Sequence, residues 1–150
     1  MQSKLWSCGL ALALASACAP AAATLGEDTD SVAADAAQLQ AKIDIAPGYR
    51  FDVHRLQLPS GLSVKQYVSP AGMVFAVSWR GPDMPDLQQL LGRYFQTYVD
   101  ALKRQEGASG PRTVVQPGLV AQSGGHMRAF FGRAYIPLML PQGVSEKEIQ

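Results

Sequence analysis

His126, Arg128, Arg133 and Tyr135 form the densest grouping of chemically capable side chains in the sequence. His126 and Arg128 are two residues apart, so on a strand they share a face. One extra residue at Gly132 would bring Arg133 and Tyr135 round to it. Arg80, just past Trp79, can complete a cationic, aromatic-edged pocket for an anionic group, since guanidinium forks match carboxylate and phosphate oxygens. The plainer reading makes these residues the solvated side of a β unit, where charged side chains normally sit.

Other chemistry is thinner. A hydrolase would need Ser123 or Ser69 as nucleophile, His126 as general base, a third group to orient the imidazole and an oxyanion hole. No Gly-x-Ser-x-Gly elbow is present, and Ser123 is only three residues from His126. Zinc would have only His54 and His126, without thiolates or helical ligand pairing. Glu27, Asp28 and Asp30 could face a divalent cation, but an acidic leader is ordinarily just solvated. The sequence therefore assigns no catalytic residue, metal or cofactor. The expectation is a non-enzymatic module that binds an envelope protein or small ligand through Arg80, His126, Arg128, Arg133 and Tyr135. The alternative is a small envelope hydrolase with His126 as general base.

Composition narrows the class. The chain has 150 residues, 47% of them hydrophobic and 17% charged, which suits one globular domain with a real core. A net charge of +1 gives no electrostatic case for nucleic acid. The positive start Met1–Lys4, the apolar run 5–19 and the small residues Ala21-Ala22-Ala23 predict an export signal cleaved after Ala23. The apolar run is too short to span a bilayer. This predicts a periplasmic or envelope location, with residues 24–150 as a single α+β domain and no transmembrane span after cleavage. Cys18 in Leu14-Ala15-Ser16-Ala17-Cys18 loosely matches a lipidation site, so a lipoprotein is the minor alternative. Both cysteines, Cys8 and Cys18, fall in the signal, which leaves the exported part without disulfides.

The positioning elements follow from periodicity. Met73, Phe75, Val77 and Trp79 alternate as a strand, whereas Leu87, Leu90, Leu91, Tyr94, Phe95, Tyr98, Val99 and Leu102 make a helical stripe over residues 85–104. Gly92 inside that helix suggests a close backbone approach. Residues 49–79 read as a three-stranded meander with short turns. A bulge is expected near His54-Arg55, and Leu62, Val64 and Val68 face in while Lys65 and Tyr67 face out. Ser31 is expected to cap a first helix reaching Lys42. Residues 113–115 suggest a small additional strand. Residues 119–140 then suggest a β-hairpin around Ser123-Gly124-Gly125, with a bulge at Gly132. Residues 141–150 read as a tail. The class is α+β: an antiparallel sheet, built as meander, long helix and hairpin, with the helix packed on one face in two layers.

The stretches YVSPAGMVFAVSWRGPDMPDLQQLLGRYF and SGGHMRAFFGRAYIPLMLP resemble the domain of unknown function 2844 family, small exported proteins of Gram-negative bacteria. The similarity runs from Leu25-Gly26 to the tail, most distinctively in F-A-V-S-W-x-G-P and G-H-M-R-x-F-x-G-R-A-Y. It implies a place outside the cytoplasm, and it implies no activity and no catalytic residue.

Overall fold

A computed structural model describes residues 25–105, 107 and 110–150. The expected export signal and both cysteines lie outside the described residues. The elements, in chain order, are α1 (Thr29–Gln38), β1 (Lys42–Ala46), β2 (Asp52–Gln57), β3 (Ser63–Val68), β4 (Val74–Gly81), α2 (Leu87–Leu91), α3 (Phe95–Lys103), β5 (Arg112–Gln116), β6 (Leu119–His126) and β7 (Ala129–Tyr135). All seven strands join one sheet in the order β1-β2-β3-β4-β7-β6-β5, antiparallel at every neighbour. The expected meander is β2 to β4, and the small strand expected at 113–115 is β5.

The first helix differs from expectation at both ends. Asp28, not Ser31, caps it, accepting from the Ser31 amide at 3.3 Å. It ends at Gln38, because Gln40 turns left-handed (φ 51°) while its amide and that of Ala41 close on Ala37 and Ala36. Ile43 therefore belongs to β1, an edge strand hidden by the coincidence of its spacing with the helical stripe. The leader is tied down too: Leu25 is buried and Glu27 pairs with Arg93.

The long helix is present over 87–103, but in pieces. A 3-10 turn, Gly92–Tyr94, separates α2 from α3. Gly92 adopts φ 49°, ψ −121°, which side-chain-bearing residues avoid. The glycine accommodates that left-handed step between α2 and the 3-10 turn.

Cross-strand register sorts the sheet into two faces. One carries Leu56, Val64 and Trp79 in one row and Gln66, Val77, Ala134, Ala121 and Val114 in the next. Helical Val32, Ala36, Leu90, Leu91, Tyr98 and Ala101 close over it as the main core. The opposite face holds a smaller core of Tyr67, Phe75, Ala76, Tyr135 and Ile149, edged by Phe51. Its cover is the segment 137–150, which crosses the sheet as a strap. The strap carries a one-turn 3-10 helix, Glu146–Glu148, with a complete Ser145/Glu148 capping box. The two expected layers thus gain a partial third, and Tyr67, expected to face out, is buried beneath it.

Because both faces are covered, apolar residues on both sides of β2 and β7 mimic a change of parity. Neither bulge expected from that change occurs: register runs unbroken past His54-Arg55 and through Gly132. The sheet's register shift lies instead at Tyr67/Val68, where Phe75 is left unpaired between partners Val74 and Ala76. Gly132 is small for another reason. A Cβ there would sit 2.2 Å from Cζ2 of Trp79, which lies across it. The hairpin also turns later than expected. Ser123, Gly124 and Gly125 pair within β6, and Met127-Arg128 make the turn.

Candidate functional site

Half of the strap face is left uncovered, and there the register assembles polar side chains. Lys65, Ser78, Arg133, Gln122 and Thr113 stand in one line across β3, β4, β7, β6 and β5. Two residues further along, Ser63, Arg80, Phe131 and Gly124 form the next line. Neighbouring strands lie about 4.8 Å apart, so Arg80 has Lys65 on one diagonal and Arg133 on the other, each roughly 7–8 Å away. Together with Ile149 and Gln150 of the strap, these residues enclose an open trough of about 800 Å³. That is the size of a site for a small organic molecule.

Two of the three cations are already engaged. Arg133 Nε donates to Gln122 Oε1 at 2.8 Å, and Nη1 donates to the carbonyls of Glu146 (2.7 Å) and Ile149 (3.2 Å). Lys65 Nζ donates to the Gln150 carbonyl at 2.8 Å. Both cations thus sit at the boundary between strap and trough. Arg80 is different: it is exposed, and among the described residues its guanidinium has no hydrogen bond and no ion pair. Phe131 forms the apolar wall. It leans over Gly124, where a Cβ would meet its ring at 3.0 Å, and toward Pro111.

Of the residues singled out by sequence, Arg80 and Arg133 meet in the trough. Arg80 and Arg128 meet in a second cleft of about 350 Å³ at the hairpin end, which also includes Gly81 and Phe131. Arg128 does not share a strand face with His126, since it occupies the turn with φ 64°. His126 is exposed at the end of β6, opposite Ala129, and lines neither cavity. Tyr135 serves the strap: its hydroxyl donates to Glu146 Oε2 at 2.5 Å, and burial, then this bond, pushes its pKa up to about 12. Lys65, Gln122 and Phe131 were missed. The alternation of β3 marked Lys65 as outward-facing, but only strand register reveals that it lies beside Arg80.

The serines do not assemble with His126. Ser123 is buried on the helix face, 3.0 Å from the Tyr98 hydroxyl, while His126 has the opposite parity. Ser69 accepts from the Met73 amide in the β3–β4 turn, at the other end of the strands. His54 is buried in β2, four strand positions from β6, and burial lowers its pKa despite Asp52 nearby. No group of three or more metal-binding side chains occurs among the described residues.

Ser78 and Arg133 of the polar line and the rings of Trp79 and Phe131 fall in the segments that distinguish this sequence, and a family model described as "Protein of unknown function (DUF2844)" matches residues 21–149. The chain belongs to the DUF2844 family. No curated protein and no solved structure matches it significantly. For this DUF2844 chain, no helix among the described residues is long and apolar enough to cross a membrane.

Proposed function

We propose that this DUF2844 protein is an exported, non-enzymatic binding module of the cell envelope, and that it seats a small anionic ligand in the strap-face trough. Export rests on the signal-like pattern of residues 1–23. The observation that carries the binding site is Arg80. It is a cation without a partner among the described residues, flanked by Lys65 and Arg133 and facing an aromatic wall. A guanidinium in that setting offers paired donors to a carboxylate or phosphate. Phe131, exposed at the trough, supplies the apolar contact that a purely inorganic ion would not use.

The test is calorimetric titration of the purified protein with phosphate, citrate, benzoate and galacturonate. At least one should bind, more weakly as salt rises, and Arg80→Ala should weaken it tenfold or more without lowering the melting temperature. If Arg80→Ala leaves every affinity unchanged, or if none of the four binds, the assignment fails.

A further inference from the structure

The trough and the hairpin-end cleft share Arg80, Gly81 and Phe131, so they form two stretches of one groove. Arg133 is four residues from Ala129 at the start of β7, roughly 14 Å at about 3.4 Å per residue, and Arg128 lies beyond it in the turn. Arg80, opposite Phe131, lies between their levels. Three arginines therefore mark a line too long for one compact anion. We infer that the occupant is a linear acidic oligosaccharide, with carboxylates stepping along Arg133, Arg80 and Arg128 and one sugar ring stacked on Phe131. This rests on the trough reading above and adds the class and length of the ligand.

Four observations select that class. The groove offers amide and hydroxyl groups, Gln122, Thr113 and Ser63, which both donate and accept and so suit sugar hydroxyls. Phe131 is 46% exposed in the middle of the line of cations, an apolar face without a protein partner. A bound peptide would have to satisfy its own backbone amides, normally at a strand edge; this groove runs over a sheet face whose amides already pair in the ladder. Nucleic acid would call for a broad basic surface, against a net charge of only +1.

Arg128 supplies an independent argument. It occupies a left-handed turn position, φ 64°, where glycine or asparagine fits without strain and a long side chain does not. Among the described residues it has no ion pair. A residue that costs stability at the tip, and holds its charge over a cleft shared with Arg80, fits a role in binding.

The experiment compares galacturonate monomer, its linear hexamer, the fully methyl-esterified hexamer and a hexaglutamate peptide by calorimetry. The hexamer should bind at least tenfold tighter than the monomer, and the ester and the peptide at least tenfold weaker than the hexamer. Arg128→Gly and Arg128→Asn should raise the melting temperature while weakening the hexamer fivefold or more and leaving the monomer unaffected. The inference is overturned if the hexamer gains nothing over the monomer, if hexaglutamate matches it, or if both Arg128 variants keep full hexamer affinity. Arg80-dependent binding of the monomer, phosphate, citrate or benzoate would then preserve the trough reading; if the hexamer and all four of these fail to bind, both readings fall.

Discussion

The two faces of the sheet are covered by different means, and they have different consequences. The helix face is sealed by side chains that interlock, and some of its buried polar groups pair with one another, although His54 Nδ1, Gln66 Oε1 and Trp79 Nε1 have no hydrogen-bond partner among the described residues. Asp35 accepts from Gln89 at 2.7 Å and from Gln66 at 3.5 Å, and Tyr98 meets Ser123. The other face is covered by a strap of irregular chain, which among the described residues leaves the polar line of β3 to β5 open. Helices bring a broad apolar stripe to a sheet, whereas an irregular segment brings only a few anchors, here chiefly Ile149. The site lies beside that narrower cover.

The contrast is best tested by removing one anchor from each side. Leu91→Ala, on the sealed face, should cost about 2–5 kcal/mol and lower the whole unfolding transition, measured by urea denaturation. Ile149→Ala should instead open the strap locally, so that hydrogen exchange quickens at Gln150 and around Tyr67 while β6 stays protected. Equal global losses from the two variants would show that the covers are equivalent. Gly132→Ala should cost about 1–3 kcal/mol by driving the Trp79 indole off its seat, with a shift in tryptophan fluorescence as the readout.

The faces should also part at opposite ends of the pH scale. Tyr135, on the strap face, has a folded pKa raised to about 12 from 10.0. Its contribution is complete below pH 10 and declines as pH rises toward 12, because the unfolded chain releases the proton first. Tyr135→Phe should flatten that alkaline loss in stability–pH curves. His54, on the helix face, has a pKa lowered from 6.5 by burial, so stability is intact above 6.5 and falls as pH drops through the lower folded value. His54→Gln should flatten the acid limb and leave the alkaline limb alone. The smallest effect belongs to the end of α1: Gln40→Gly should stabilise by about 1 kcal/mol by relieving a left-handed glutamine, seen as a higher urea midpoint.

How much of this was legible depended on whether a signal was local. The alternation of Met73 to Trp79 and the helical stripe from Leu87 to Leu102 announced β4 and the helical segment, because each pattern lies within its own element. Arg80 and Arg133 were also singled out by type. Their meeting with Lys65 and Phe131 was not legible, since neighbours across strands are fixed by register, and a one-residue slip would have sent them to opposite faces. Exposed β1 was hidden because Ile43 continues the helical spacing of α1, and apolar residues on both faces suggested bulges at Arg55 and Gly132. Strands buried on both sides lose the alternation from which parity is read. The strap escaped notice because its apolar residues, Met139, Leu140, Val144 and Ile149, have no period of their own.

Lys65 and Arg133 hold the strap by main-chain oxygens, those of Glu146, Ile149 and Gln150. Every amino acid supplies that oxygen, so substitutions along residues 146 to 150 cannot delete those acceptors. Sequence drift in the closing segment should therefore be tolerated at all but its few apolar and capping positions and Glu146, which holds the Tyr135 hydroxyl, while the two basic residues opposite it should not be free to change.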